Sequence, residues 1–250
     1  MGVSAPVAAK ANGLSTVIDT IASPNEAFER QRTAPTWGWA LAITIVLLLA
    51  GAYLQGPAAR HANAAQTQHM IANSPIYATL SDAKKQQILD RAGKPSLFSY
   101  VGPVVFLFVG VLLNTLFMLI GNAVGKGEAD FKRLWCGSMN IAVPTLGLGA
   151  IVLGVITTMR GPDAFSNGIQ LLQAMPSLAM LAPNASIVLI AFLAGISVFT
   201  LWGFFLNATM LRVTGKTSSA VAYAFAAIVL LLGAGTGAAF TALGHKAGLF

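Results

Sequence analysis

The chain of 250 residues is 56% hydrophobic and only 9% charged, with a mean hydropathy of +0.72. Soluble domains carry about 25% charged residues, so this composition excludes an ordinary water-soluble protein and indicates that lipid solvates much of the surface. The formal net charge of +7 comes from 15 Lys and Arg residues that form no continuous basic stripe, so nucleic-acid binding is not predicted.

Five charge-free intervals divide the chain, and each reaches the length of about 20 residues that a helix needs to cross the hydrocarbon core. The sequence therefore predicts an all-α, polytopic membrane protein with five transmembrane helices, an N-terminal interfacial helix and a helical extramembrane loop. One cysteine, Cys136, allows no internal disulfide. The predicted spans are residues 37–55, 98–122, 134–157, 186–210 and 218–243.

The N-terminal region, residues 1–36, contains a short charged helix just before the first span. In the stretch SPNEAFERQR, Ser23 and Glu26 have the spacing of a capping box, and Pro24 suits the first helical position. Beside the tryptophans that open the first span, this helix is expected to be an interfacial elbow with Phe28 in the headgroup boundary. The region has no apolar core of signal-peptide length, so the first span is expected to be retained.

Residues 56–97 are expected to form the extramembrane loop between the first two spans. Within it, the segment DAKKQQILDRA is predicted to be a helix that Ser81 caps and Gly93 ends. His61 and His69 are interpreted as solvated side chains, because two histidines without further ligands make a weak metal site.

Before the fourth span, apolar residues recur at helical spacing, which predicts a helix lying in the membrane interface. A sixth span is the alternative, but it would run from near Phe165 to Leu181, about 17 residues, at the lower limit of length. It would also contain Pro176 and several amides, so five spans are preferred. The recurring apolar positions are Phe165, Ile169, Leu172 and Met175.

The predicted spans contain no Asp, Glu, Lys, Arg or His, which argues against a proton-coupled pump. The stretch TGKTSS, residues 214–219, lacks the first glycine of a phosphate-binding loop, since Met210 stands there. It is instead expected to be a helix break, with Thr217 or Ser218 capping the fifth span. Neutral polar residues in the spans are expected to hydrogen-bond between helices, with a substrate site as the less favoured alternative. These residues are Asn114, Ser138, Asn140, Ser197 and Asn207.

Two short turns, residues 125–133 and 211–217, are rich in Lys and Arg, which favours a cytoplasmic position. With five spans, both share the side of the N-terminus, while residues 56–97 and the tail 244–250 lie outside. The elbow and the turns are expected to form one surface that meets anionic lipid headgroups or docks a protein partner. The alternative is that the basic residues only determine topology. The surface residues are expected to be Phe28, Lys126, Phe131, Lys132, Arg133, Arg212 and Lys216.

Three stretches together resemble the Yip-domain family over roughly residues 17 to 240: SPNEAFERQRTAPTW, GKGEADFKRLWCGSMNIAVP and LWGFFLNATMLRVTGKTSSAVAYA. The resemblance implies five spans and a cytoplasmic N-terminus. It also implies structural roles for the family-motif residues, which are Pro24, Phe28, Gly125, Pro144, Trp202 and Gly215.

The eukaryotic branch of that family interacts with Rab-type GTPases through longer N-terminal regions, so Rab binding is not carried over to this chain. The chain looks like the bacterial branch, some members of which accompany ABC-type exporters. We therefore expect a non-enzymatic protein of the bacterial inner membrane that organises or assists a membrane partner, with no catalytic, cofactor or metal residues. A transport component, either a permease or an exporter subunit, is the alternative. A homo-oligomer through Gly233 and Gly237 also stays open, although packing within the chain is preferred there.

Overall fold

The computed structural model describes residues 12–246, and the elements in that range are helical apart from one isolated bridge. The helices are α1 (Gly13–Ala22), α2 (Pro24–Thr33), α3 (Gly38–Asn73), α4 (Pro75–Ala78), α5 (Asp82–Ala92), α6 (Phe98–Val124), α7 (Phe131–Ala142), α8 (Gly149–Arg160), α9 (Gly168–Ala174), α10 (Ile187–Ala194), α11 (Val198–Val213) and α12 (Ser219–Lys246). A π-helical segment, Val143–Leu148, joins α7 to α8, and short 3₁₀ turns cover Pro162–Ala164 and Leu178–Leu181.

Within residues 12–246, four helices are long and apolar enough to cross a membrane. Four of the five predicted spans are thereby confirmed as continuous apolar helices, and the count of five stays a prediction. The qualifying helices are Gly38–Asn73, Phe98–Val124, Phe131–Arg160 and Ser219–Gly244.

The predicted fourth span, 186–210, is not one helix but two, α10 and α11. Ser197 breaks it, because its side chain caps α11 in a capping box with Thr200. The backbone there pairs with the preceding segment instead of continuing the helix: the N–H of Leu178 donates to the carbonyl of Ile196 at 3.1 Å. Ser197 therefore satisfies its own helix end, and the expectation that it would bond between membrane helices is wrong.

Helix α3 runs well past its predicted end at residue 55. It has 36 residues, or roughly 54 Å, which is longer than the hydrocarbon core needs. Pro57 lies inside it, and the turns beyond pack Ala58 and Ala62 against Phe165. The predicted loop thus begins as a helical extension of the first span. Its predicted helix is confirmed as α5, ending at Gly93, although Ser81 makes no side-chain cap bond.

The segment before α10 is less helical than its pattern predicted. Only Gly168–Ala174 forms α9, because the side chain of Asn167 caps it and the chain turns extended at Met175. Phe165 lies outside the helix and is fully buried against α3 rather than facing the membrane interface.

Helix α3 crosses α8 at a point where only small residues fit. A Cβ atom built on Gly51 would lie 2.7 Å from the backbone of Ala150, and one on Gly154 would lie 2.8 Å from Cβ of Leu54. Close approach through small residues is the usual way in which apolar helices gain packing in lipid.

Helix α12 packs along both α10 and α11, so the two short helices together follow the length of one long one. A Cβ atom on Gly195 would lie 2.6 Å from Cα of Ala234, and one on Gly237 would lie 3.9 Å from the carbonyl oxygen of Ala191. Ala234 and Gly237 of α12 thus pack within the chain, whereas a Cβ atom on Gly233 would meet nothing within 4 Å, so a homo-oligomer through Gly233 stays a prediction.

Candidate interaction surface at the two turns

Arg30 links the elbow helix α2 to α1. The guanidinium of Arg30 lies 2.7 Å from the carboxylate of Asp19 and donates to Oγ of Ser15 at 3.0 Å. Pro24 occupies the first turn of α2 as predicted, but the capping box is absent because the Ser23 side chain makes no cap hydrogen bond. The position of α2 therefore depends on tertiary contacts more than on its own cap.

Phe28 does not face the headgroup boundary, and its predicted place on an exposed surface is wrong. Its side chain is fully buried in a cluster with Leu134, Met210 and Leu211. The predicted surface position assumed that α2 lies on lipid, whereas α2 lies on α11 and α7. Phe28 thus packs the elbow helix against the membrane bundle.

Two hydrogen bonds join the elbow to the end of α11. Oγ1 of Thr214 donates to the carbonyl oxygen of Phe28 at 3.0 Å, in a buried position. Nη2 of Arg212 donates to Oδ1 of Asn25 at 3.2 Å on the exposed side. These bonds hold the elbow at the level of the turn between α11 and α12.

Asn122 organises the turn between α6 and α7, a role that no sequence motif indicated. Its side-chain amide donates to the carbonyl oxygen of Ala129 at 3.0 Å, and its Oδ1 accepts from the N–H of Ala129 at 3.3 Å. The residue is buried, so these bonds also satisfy an amide that water does not reach. The turn is therefore closed from inside, and its backbone is held in one conformation.

The two turns touch each other directly. The N–H of Glu128 donates to the carbonyl oxygen of Gly215 at 2.8 Å. A Cβ atom on Gly127 would clash with Oδ1 of Asn122 and lie only 2.6 Å from that same oxygen, so a larger residue at 127 would disturb both the Asn122 side chain and the contact between the turns. Neither Gly125 nor Gly215 has a positive φ, so a left-handed backbone does not explain the glycines of these turns. Close approach of the two turns does.

The lysines of both turns adopt the same unusual backbone conformation. Lys126 has a φ of 51° and Lys216 a φ of 53°, in the left-handed region that side chains other than glycine rarely occupy. The two hairpins, α6–α7 and α11–α12, thus share a left-handed residue at the lysine of each turn.

An ion pair adds a second link between the turns. Nζ of Lys216 lies 2.7 Å from Oε2 of Glu128. The hydrogen bond and charge of Lys216 hold the pKa of the Glu128 carboxyl below its ordinary value. Both side chains are half exposed, so the pair contributes little to global stability but orients the turns.

Cations without acidic partners remain on this surface. Lys126 and Lys132 are exposed and make no ion pair among the described residues, whereas Arg133 is half-buried and reaches the carbonyl oxygen of Glu128 at 3.4 Å. Phe131 is 43% exposed and stacks on Trp135 with ring centroids 6.0 Å apart. A rigid aromatic group therefore lies beside free positive charges.

The remaining family-motif positions are internal to the bundle. Pro144 is buried in the π-helical segment after α7, where its missing N–H removes one helical hydrogen bond. Trp202 is partly buried and packs against the cluster that contains Phe28. Both positions thus shape the bundle beneath the turns and do not contribute to the exposed surface.

Deeper in the bundle, three of the predicted polar residues meet at one point. Nδ2 of Asn114 donates to Oγ of Ser138 at 2.8 Å and to Oδ1 of Asn207 at 3.0 Å, which joins α6, α7 and α11. The three side chains line a cavity of about 360 Å³ that Gly203 and Gly233 also border. Asn140 is separate and donates to the carbonyl oxygen of Thr36 at 2.9 Å, just before α3.

No group of three or more His, Cys, Asp or Glu side chains in residues 12–246 is arranged to hold a metal ion. Nδ1 of His61 lies 3.0 Å from the carbonyl oxygen of Phe165, and its Nε2 lies 3.5 Å from the exposed carboxylate of Asp163. His61 thus connects the extension of α3 to the segment after α8.

Comparison with known proteins gives one match. Residues 18–239 match the model of a family described as the Yip1 domain, which covers most of the chain. No curated protein matches the chain. No solved structure matches it either.

Proposed function

We propose that this chain, which belongs to the Yip1 domain family and has four apolar helices of membrane-spanning length within residues 12–246, is a non-enzymatic membrane protein that organises or assists a membrane-protein partner. The proposed contact surface is the turn face, defined as the exposed parts of α2 and of the turns at residues 125–133 and 211–218. The observation that carries the proposal is the direct turn-to-turn hydrogen bond between Glu128 and Gly215.

The turn face has the properties that a docking surface needs. Hydrogen bonds from within the bundle hold its backbone, so a partner would not have to order it, and preorganisation of this kind favours binding. Its charge is divided: Arg30 and Lys216 are paired inside the chain, while Lys126 and Lys132 are available to anionic groups. The exposed ring of Phe131 supplies an apolar anchor beside them.

We place this protein in the bacterial inner membrane, with the N-terminus and the turn face in the cytoplasm and the C-terminus outside. The basic turns support that orientation through the positive-inside rule. In this arrangement, Lys126 and Lys132 lie at the level of the lipid headgroups, where each is worth about 1 kcal/mol of attraction to an anionic surface. The bilayer and a membrane protein of unknown identity are the proposed partners, and a second copy of the chain is the alternative.

Co-purification in mild detergent tests the proposal. The double variant Lys126→Gln, Lys132→Gln removes two free charges and leaves the Lys216–Glu128 pair intact. The matched control is Lys84→Gln, Arg160→Gln, away from the turn face, since neither cation makes an ion pair among the described residues. The proposal expects a membrane-protein partner to co-purify with the wild-type chain and the control, and to be lost from the turn-face variant. Equal recovery with both variants, or no partner at all, contradicts it.

A transport component is the second candidate, and the intramembrane cavity favours it. The cavity contains the hydrogen-bonded amides Asn114 and Asn207 and lies beside the break between α10 and α11. Discontinuous helices next to polar cavities are typical of transporter sites. Gly233 borders the cavity and a Cβ atom there would meet nothing within 4 Å, so Gly233→Leu is expected to narrow the cavity.

Proteoliposomes separate the two candidates. The measurement is the permeation of glycerol or urea through the purified protein. Permeation that Gly233→Leu abolishes and Gly235→Leu retains would support transport and contradict the organising role. Gly235 is the matched control because a Cβ atom there also meets nothing within 4 Å, and the residue does not line the cavity.

A further inference from the structure

A cavity of about 700 Å³ lies at the opposite end of the bundle from the turn face. It runs between the extension of α3, the C-terminal end of α5 and the start of α6. We propose that this cavity binds one anionic phospholipid, with the phosphate at Arg60 and part of an acyl chain against α3 and α8.

The polarity of the cavity changes along its length in the way an amphiphile requires. One end is lined by apolar or small side chains of Leu48, Ala52, Ala150 and Pro103. The other end is lined by hydrogen-bonding groups and cations. The polar lining residues include Gln55, which lies closer to the apolar end and donates to the carbonyl oxygen of Ala150 at 3.1 Å, and, toward the other end, Arg60, Asn63, Gln66, Arg91 and Lys94.

The position along α3 places this change in polarity at a membrane boundary. From Gly38 to Ala59, α3 carries no charged residue, a stretch of roughly 33 Å that matches the hydrocarbon thickness. Arg60 is the first charged residue after it. Lys94 stands four residues before α6 begins at Phe98. Both cations therefore lie where lipid phosphates are found.

The charge of the cavity is one-sided. Three cations, Arg60, Arg91 and Lys94, line it, and no Asp or Glu does. None of the three makes an ion pair or hydrogen bond through its side chain with another residue in the described part of the chain. Asp90, the neighbour of Arg91, accepts instead from the amide of Gln86 at 3.1 Å. A phosphate would supply the hydrogen-bond acceptors that the chain does not provide for these three cations.

The orientation of Arg60, which follows the usual lean of a helical side chain toward the N-terminus, places its charge near the apolar end of the cavity. A Cβ atom built on Gly56 would lie 2.9 Å from Nη1 of Arg60, so the guanidinium lies over Gly56, one helical turn back toward the apolar segment. An arginine at a membrane boundary normally extends toward water, because a charge close to hydrocarbon is costly without a partner. Gly56 leaves the space for this orientation, and a phosphate at that depth offers the bidentate contact that arginine prefers.

Lipid binding to the purified protein, measured by native mass spectrometry, tests the proposal with phosphatidylglycerol and phosphatidylcholine as probes. The wild-type chain should retain one phosphatidylglycerol in preference to phosphatidylcholine. Arg60→Gln and Lys94→Gln should each lower the affinity for phosphatidylglycerol about fivefold, as expected for one basic contact to an anionic headgroup. Arg160→Gln is the matched control, since Arg160 ends α8 and does not line the cavity.

Gly56→Ala keeps the positive charge of Arg60 and tests whether lipid binding depends on the position of its guanidinium. The added methyl group displaces the guanidinium, so affinity for phosphatidylglycerol should fall while affinity for phosphatidylcholine stays unchanged. This variant and Lys94→Gln also decide the matter if Arg60→Gln does not fold. Equal retention of the two lipids, or an equal loss in Arg160→Gln, overturns the proposal. A third outcome also overturns the proposal. If inorganic phosphate alone raises the thermal unfolding temperature of the wild type but not of Arg60→Gln, and no lipid is preferred, the site takes free phosphate and not a phospholipid.

Discussion

The side-chain amides of Asn114 and Asn207 are joined by a hydrogen bond of 3.0 Å, although the residues are 93 positions apart. They link α6 to α11 in a part of the bundle where lipid supplies no alternative hydrogen bond. We expect Asn114→Ala and Asn207→Ala to destabilise the protein non-additively, with a coupling free energy of about 0.6 kcal/mol, as is typical between membrane helices. Thermal unfolding of the two single variants and the double variant in detergent measures it.

The control for this double-mutant cycle pairs Asn114→Ala with Asn73→Ala. Asn73 is exposed and bonds only the carbonyl oxygen of His69 in its own helix. Its effect should add to that of Asn114→Ala. A coupling of zero in the Asn114–Asn207 cycle would show that the hydrogen bond does not connect the helices energetically.

Phe28 and Phe131 provide a second test, because the sequence placed both on one surface and the structure separates them. Phe28 is fully buried, so Phe28→Ala should lower the free energy of unfolding by about 3–5 kcal/mol. Phe131 is 43% exposed, so Phe131→Ala should cost much less. Denaturant or thermal unfolding of both variants gives the comparison. Equal losses would contradict the packing of α2 against α11.

Gly127 tests the contact between the turns. Gly127→Ala would bring a methyl group against Oδ1 of Asn122 and to 2.6 Å from the carbonyl oxygen of Gly215, so both the Asn122 side chain and the backbone must move. We expect this variant to lower the unfolding temperature and to speed hydrogen exchange at the amide of Glu128. Gly110→Ala is the control, because a Cβ atom there meets nothing within 4 Å. Since alanine favours helix over glycine, the control should be neutral or slightly stabilising.

The Lys216–Glu128 pair makes a prediction about pH. Because Lys216 holds the folded-state pKa of Glu128 below its ordinary value, the contribution of the pair is present above that ordinary value. It is lost as the pH falls through the lowered, folded-state pKa. A titration of the Glu128 carboxyl by NMR should therefore show a midpoint that rises in Lys216→Gln. Lys126→Gln, which removes a charge outside the pair, should move the midpoint far less; an equal shift in both would exclude a specific pair.

The proposed topology is testable by cysteine labelling in a Cys136→Ala background, since Cys136 is buried and free. New cysteines at positions 126 and 216 should react only from the cytoplasmic side, and a cysteine at position 84 only from outside. Outside labelling at 126 or 216 would reverse the orientation. A cysteine at position 250, beyond the described residues, should react from outside; a cytoplasmic reaction there would contradict five crossings.

Much of the fold follows from local properties of the chain, which is why the sequence alone predicts it. The four long apolar helices, the helix Asp82–Ala92 and the cap at Ser218, which accepts from the N–H of Val221 at 3.4 Å, depend on residues close to one another in the chain. Hydropathy, helical periodicity and capping all act over a few turns of helix. The polar character of Asn114 and Asn207 was likewise visible, although not that they bond each other.

The tertiary structure alone decided what depends on distant partners. The cap of Ser197 with Thr200 is local, but the backbone pairing of Leu178 with Ile196 beside it is not, and the burial of Phe28 against Met210 joins residues far apart in the chain. Apolar composition says that a residue avoids water, but in a membrane protein lipid and protein interior satisfy that need equally well. Only packing distinguishes them, so the sequence by itself determined which segments are apolar helices, and the fold determined which side chains form the turn face.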